Sequence, residues 1–338
     1  MSQRRSRRVL VFGSSGRLGR GIVEAARAVR SPAAAREPSW ELHPRGDVPD
    51  LRLAGSDPAS LSAALAARLA ELRPRAVLNC AAMSLVDDCE RRRDEAHAVN
   101  ALFPGLLGAA CAKAGVPLVQ LSTDYVFGDE TRCGPGPYRE DSPCGPCQCY
   151  GESKLDGERL ALAAREAGGI VSVVRVSWLF AHWARPFEEH VRTELARGDG
   201  SVRVAVRQAS RPISIRSLSR WLLALCGFIA DRIDDRQIPD LPPFLHPSGG
   251  PFATRADWAR VLLEAWGLLG VRILDHGETY GSGAAASSAS PPRARRPLDS
   301  RLDGRATANW ARRADLPRMR DWREEAASLA RRRPVAAP

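Results

Sequence analysis

Tyr150-Gly-Glu-Ser-Lys154 sets a phenol and an ammonium four residues apart, and on a helix that spacing puts both on one face, about 5–6 Å apart at Cβ. A cation at that distance favours tyrosinate and predicts a phenol pKa below its ordinary value of about 10. Tyr150 can then exchange a proton with a substrate oxygen near neutral pH. Lys154 and Lys113 are the only lysines among 50 basic residues, and lysine, unlike arginine, has a pKa that a site can tune. Leu121-Ser-Thr-Asp-Tyr-Val-Phe127 closes an apolar run, and in open parallel sheets ligands bind beyond the carboxyl ends of strands. A Thr123 hydroxyl placed there can hold a carbonyl oxygen in line with Tyr150, the arrangement for reducing a carbonyl with hydride from a nicotinamide. The plainer alternatives are an exposed Tyr–Lys pair and a Thr123–Asp124 turn cap.

Gly13-Ser-Ser-Gly16-Arg-Leu-Gly19 follows the apolar run Val9–Phe12 and opens a helical stretch. The first glycine permits a tight turn, the second lets a pyrophosphate approach the backbone, and the third lets helix and strand pack closely. The free N–H groups of the helix start then face an anion, with Ser15, Arg17 and Leu18 completing the turn. Arg17, and Arg45 after the candidate strand 40–44, suit the extra phosphate of NADP, whereas an acid at that point would favour NAD. The alternatives are a simple βα turn and solvated surface arginines.

Elements of two kinds must position these groups. Short apolar runs at 9–12, 76–82, 118–122 and 171–177 alternate with Ala-rich helical stretches at 17–30, 94–114 and 151–167, and 40–44 and 51–54 are weaker strand candidates. That alternation predicts an α/β fold with a Rossmann-type doubly wound parallel sheet. After about residue 180 the alternation weakens, and helices near 187–197, 214–231 and 254–268 suggest a smaller, mostly C-terminal substrate lobe. The expected division is a dinucleotide-binding domain at 1–178, with 210–250 packing back on it, a lobe at 179–330 and a frayed tail at 331–338. Residues 281–292 are low in complexity and read as a loop.

The chain of 338 residues is 44% hydrophobic and 26% charged, enough apolar material for a large core. No apolar run reaches the roughly 18–20 residues that span a bilayer, and the expectation is a cytoplasmic enzyme without a signal peptide. The net charge of +11 is spread along the chain without a nucleic-acid-binding motif, so a small anionic substrate is preferred to a nucleic acid or a membrane. Eight cysteines in a reducing compartment are expected to be free thiols. Cys144-Gly-Pro-Cys-Gln-Cys149 has the spacing of a redox dithiol, but its prolines suggest a tight turn into the next helix, and no second ligand pair stands at metal-site spacing.

Taken in order, V-F-G-S-S-G-R-L-G at 11–19, V-L-N-C-A-A at 77–82, V-D-D-C-E at 86–90, A-V-N-A at 98–101, S-T-D-Y-V-F at 122–127, P-Y-R-E-D at 137–141, Y-G-E-S-K-L-D-G-E at 150–158, R-V-S-W at 175–178 and R-R-P-L-D-S-R-L-D at 295–303 resemble the dTDP-4-dehydrorhamnose reductase family. These are extended short-chain dehydrogenases that complete deoxysugar nucleotides. The resemblance implies NAD(P)H-dependent reduction of the 4-keto group of a nucleotide-linked deoxysugar, with Thr123, Tyr150 and Lys154 as the catalytic trio. It also implies cofactor contacts at Gly13, Gly16, Gly19, Ala81 and Ala82, an acidic Asp57 near the adenine, and Asp124, Trp178 and Arg296 toward the substrate. Trp178 can equally be core. Related dehydratases carry an acid directly after the Thr-Asp pair; here it is Tyr125, which favours simple reduction. The segments 83–85, 128–129, 181–187 and Ser210-Arg211-Pro212 depart from the family pattern, as does the Cys-rich loop before Tyr150. A homodimer is expected. The competing reading is a non-catalytic subunit resembling the methionine adenosyltransferase regulatory subunit, against which the intact trio argues.

Overall fold

The short apolar runs are buried on both faces, which a strand achieves only in the middle layer of a sandwich. A computed structural model describes residues 7–29, 40–42, 57–234, 240–276 and 294–335. Its strands β1 (Arg7–Phe12), β2 (Trp40–Leu42), β3 (Ala76–Asn79), β4 (Leu118–Thr123), β5 (Val171–Val176) and β6 (Phe244–Leu245) form one sheet in the order β2-β1-β3-β4-β5-β6. All neighbours are parallel. The second predicted strand is described over Trp40–Leu42; its remaining residues and the candidate at 51–54 lie outside the described residues.

Helices α1 (Arg17–Val29), α2 (Pro58–Leu72), α3 (Phe103–Ala114), α4 (Cys149–Glu166) and α5 (Ile215–Asp234) cover the sheet. Successive strand side chains point to opposite faces. Val9, Val11, Leu78, Val119 and Val174 meet α1 and α5 through Ile22, Ala26, Leu218 and Leu222. Leu10, Phe12, Val77, Leu118 and Val171 meet α2, α3 and α4 through Leu65, Phe103, Leu107 and Ala161. The chain leaves β1 for β2 on one side and returns to β3 on the other, so the loops after β1 and β3 diverge and open a crevice at the carboxyl edge. The doubly wound sheet predicted from the alternation is therefore present.

The helix expected over 94–114 is interrupted. Arg93–His97 passes into a wide π turn at Ala98–Leu102 before α3 begins. Pro104 has no N–H to donate to the carbonyl of Asn100 four residues back, so the regular ladder breaks there. A second core gathers Phe187, Val191, Val202, Val204, Trp258, Leu262 and Trp322 from the helix Pro186–Leu195, the paired strands Ser201–Val204 and Arg272–Asp275, α6 (Arg255–Ala265), and a C-terminal helix at Trp322–Arg331. Trp310, Ala311 and Leu316 instead join the core shared by α1 and α5.

Candidate active site at the carboxyl edge of the sheet

β1 ends at Phe12, and Gly13 turns the chain at φ +75°. A Cβ on Gly13 would lie 2.5 Å from the Ala81 nitrogen, and one on Gly19 would lie 2.2 Å from the Gly13 carbonyl oxygen, so both positions are closed to any side chain. Gly16 N–H donates to the Gly13 carbonyl at 3.0 Å, which tightens the turn. Ser15, Gly16 and Arg17 are exposed at the start of α1, Leu18 is buried beneath them, and the first turn of the helix holds no acid. Half-buried Ala81 and exposed Ala82 stand opposite. This glycine cradle at a helix start fits a dinucleotide pyrophosphate. Asp57 caps α2, accepting from Ala59 N at 3.3 Å and from Ser60 N and Oγ at 3.0 and 2.9 Å. Those hydrogen bonds, led by the Ser60 hydroxyl, hold its carboxyl below the usual range. Arg45 lies outside the described residues.

The proton-handling side chains stand two strands away. Lys154 is 3% exposed, and its Nζ donates to the Leu121 carbonyl at 2.7 Å, which also accepts from Gln120 Nε2 at 2.8 Å. Burial lowers the ammonium pKa to about 8, against the charge of Glu158. Tyr150 sits one turn earlier on the same face, half-buried, with its ring edge-on to Tyr125 at 6.0 Å. A Cβ on Gly151 would fall 2.1 Å from the Tyr125 carbonyl oxygen, so glycine is what lets α4 rest on the turn that follows Thr123. The structure corrects one expectation here: burial pushes the Tyr150 phenol up rather than letting it fall, and the opposing influence is a hydrogen bond with Thr123. The Lys154 ammonium donates to the Leu121 carbonyl, and desolvation of the phenol sets the direction of its shift.

The two halves of the edge are tied together. Gln120 Oε1 accepts from Asn79 Nδ2 at 2.8 Å, and Asn79 Oδ1 accepts from Ala81 N at 3.1 Å. A continuous run of hydrogen bonds thus leads from Lys154 through Leu121, Gln120 and Asn79 to the residue against which Gly13 is pressed. Asn100 braces the other flank: it accepts from Met83 N at 2.9 Å and donates to Met83 O and Ser153 Oγ at 3.0 Å each, while Ser153 donates to the Tyr150 carbonyl at 2.9 Å. A bidentate, fully buried ion pair from Arg175 to Glu158, at 2.9 and 2.7 Å, pins α4 to β5. Sequence reasoning assigned no role to these residues, although Pro104 inside a helical pattern marked the break at Asn100.

Asp124 is 2% exposed and receives three hydroxyls: Ser300 Oγ at 2.6 Å, Ser210 Oγ at 2.8 Å and Thr123 Oγ1 at 3.2 Å. Burial raises it to about 6 in spite of them. Ser210 stood out in the sequence only as a departure from the family pattern. Trp178, at φ +38°, is half-buried, packs on the second core and stacks with Trp258 at 5.9 Å. Arg296 is clamped by Asp87 at 3.0 and 2.9 Å. Burial pushes the Tyr125 phenol up to about 12, and the charges of Arg255 and Arg296 oppose that rise. All eight cysteines are free; Cys147 reaches the Arg295 carbonyl and Cys144 takes a hydrogen bond from Arg175. Among the described residues no group of His, Cys, Asp or Glu is arranged to hold a metal ion, and no helix is long and apolar enough to cross a membrane.

The RmlD substrate binding domain profile matches residues 7–333. The dTDP-4-dehydrorhamnose reductase of Mycolicibacterium smegmatis is 35% identical over 248 residues, covering 73% of this chain and 67% of that protein. The Mycobacterium tuberculosis protein of that name is 32% identical, covering 99% and 94%. The Bacillus anthracis dTDP-4-dehydrorhamnose reductase, solved in complex with NADP, shares the fold at a TM-score of 0.69 and 23% identity, over 96% of this chain and 98% of that one. The glycine turn, the Thr123-Tyr150-Lys154 grouping and a profile match over nearly the whole length agree: the chain belongs to the RmlD substrate binding domain family, the family of the dTDP-4-dehydrorhamnose reductases.

Proposed function

We propose that this protein reduces the 4-keto group of a nucleotide-linked deoxysugar such as dTDP-4-dehydrorhamnose, using NADPH or NADH, in the cytoplasm and as a homodimer. The observation that carries this reading is the hydrogen-bond run from Lys154 to Ala81, which ties the proton-handling side chains to the glycine turn. Gly13, Ser15, Gly16, Arg17, Leu18, Gly19, Ala81 and Ala82 hold the dinucleotide, with Arg45 and Asp57 toward its adenosine end. The bound nicotinamide supplies the hydride that the keto carbon accepts.

Tyr150 is the acid. Burial keeps its Oη protonated at neutral pH, so it enters the reaction with a proton to give. As the substrate oxygen gains negative charge, Oη hydrogen-bonds to it and then transfers the proton, leaving an alcohol and a tyrosinate. Thr123 Oγ1 holds the same oxygen in line, and Lys154, largely charged at pH 7, steadies the tyrosinate. Asp124 and Trp178 contact the sugar, and Arg296 lies toward an anionic group of the substrate.

With dTDP-4-dehydrorhamnose as substrate, wild-type protein should consume reduced nicotinamide. Tyr150→Phe should lose roughly 10²–10⁴-fold in kcat while binding NADPH normally. Turnover by Tyr150→Phe at the wild-type rate, or no turnover by wild type with any nucleotide-linked 4-keto sugar, would remove the proposal.

A further inference from the structure

Arg255 opens α6, where a cation opposes the positive end of the helix dipole, so its place is not explained by the stability of that helix. It is 7% exposed, and arginine goes so deep only where its charge is met. Its Cζ lies 3.6 Å from the Trp178 ring centroid, with the rings of Phe187 and Trp258 at 5.0 and 5.5 Å. Trp178 itself holds a left-handed backbone, at φ +38°, that a bulky residue rarely adopts and that persists only where its surroundings over-determine it. A guanidinium stacked at that distance is such a surrounding. The Arg255 backbone N–H donates to the Gln208 carbonyl at 3.1 Å, beside the pairing of Ala253 with Ser210, and Ser210 donates to Asp124 at 2.8 Å, so Arg255 is tied to both candidate sugar contacts and its charge favours the Asp124 carboxylate.

We propose that Arg255 is a positioning residue of the sugar site, bracing the Trp178 indole on one side and the strand that carries the Ser210 donor of Asp124 on the other, so that platform and carboxylate act together. The inference rests on the reading of Asp124 and Trp178 as sugar-facing residues. The groups around Asp124 are the hydroxyls of Thr123, Ser210 and Ser300, the phenols of Tyr125 and Tyr150, and the Arg255 cation. The hydroxyls and the cation favour the carboxylate, whereas burial opposes it.

Arg255→Met keeps the apolar stem and removes both the charge and the planar guanidinium, while Arg255→Lys keeps the charge without the planar stacking. With dTDP-4-dehydrorhamnose as probe, Arg255→Met should raise KM at least about tenfold and move the acid limb of kcat/KM to higher pH, with NADPH affinity within about twofold of wild type. Arg255→Lys should return the acid limb to its wild-type position while KM stays raised. A second readout needs no turnover: the pH titration of indole fluorescence, with Trp178→Phe as control, follows the same ionisation. An upward move of that transition in Arg255→Met supports the proposal even if the protein proves to act on another substrate. An unmoved transition with unchanged KM overturns it. Equal losses of Tm, NADPH affinity and KM in both variants also overturn it, because they mark Arg255 as scaffold alone.

Discussion

At the glycine turn the parts that touch are backbone: Gly13 against Ala81 and Gly19 against Gly13. At Asp124 they are side chains drawn from distant stretches of the chain, with Ser210 and Ser300 on one carboxylate oxygen and Arg255 beside Trp178. Backbone contact demands one residue type and leaves it at a fixed spacing. Side-chain contact can be met by many combinations and leaves no spacing at all. The two regions should therefore fail differently, the first abruptly and the second by degrees.

The abrupt case is Gly13→Val. A β-branched residue at φ +75° is strained by about 1–3 kcal/mol, and its Cβ would also stand 2.5 Å from the Ala81 nitrogen, in a loop already tied to Asn79. We expect NADPH binding to weaken by at least about 100-fold, roughly 2.7 kcal/mol, in a fluorescence titration. Affinity within a few-fold of wild type would show that the contact between the two loops is not what shapes the cradle.

The same contrast explains what could be read in advance. The parallel sheet, both of its layers, the glycine turn and the Tyr150–Lys154 face follow from periodicity and from residues with one steric or chemical use. Asn100, Gln120, Ser210 and Ser300 were not legible, because a buried amide or hydroxyl acquires meaning only from a partner 17 to 176 residues away. Arg296 was identified from a motif, but its partner Asp87, 209 residues away, came only with the fold. The direction of the Tyr150 shift was misread for a related reason: spacing reports the nearby cation, whereas burial, which decides the sign, is a tertiary property.

Lys154 sharpens the comparison because it is a side chain serving the backbone-built region. Its pKa is lowered from 10.5 to about 8 on folding, so between those values the unfolded chain holds a proton that the folded one has released. Stability then rises with pH through that window, while below about pH 8 the full burial cost, about 3 kcal/mol, remains. Lys154→Met lacks the titrating group and shares the others. The stability of wild type relative to Lys154→Met, from urea unfolding, should therefore climb between about pH 8 and pH 10. A pH-independent difference would mean that the folded ammonium keeps its ordinary pKa.

The gradual case is the pair of seryl donors on Asp124. Each hydrogen bond to a charged acceptor is worth about 1.5–3 kcal/mol, but both meet Oδ2, at 2.6 and 2.8 Å, and either can shorten when the other is lost. Ser210→Ala or Ser300→Ala alone should therefore fall below that range, near 1 kcal/mol, a rise of about fivefold in KM for the sugar nucleotide with NADPH affinity unchanged. The double variant should cost more than the sum of the singles by about 0.5 kcal/mol or more, the signature of two donors sharing one oxygen. Strict additivity would assign each hydroxyl an independent partner. Equal damage to NADPH affinity would show that the side-chain-built wall and the backbone-built edge are one mechanical unit, and the distinction between them would be lost.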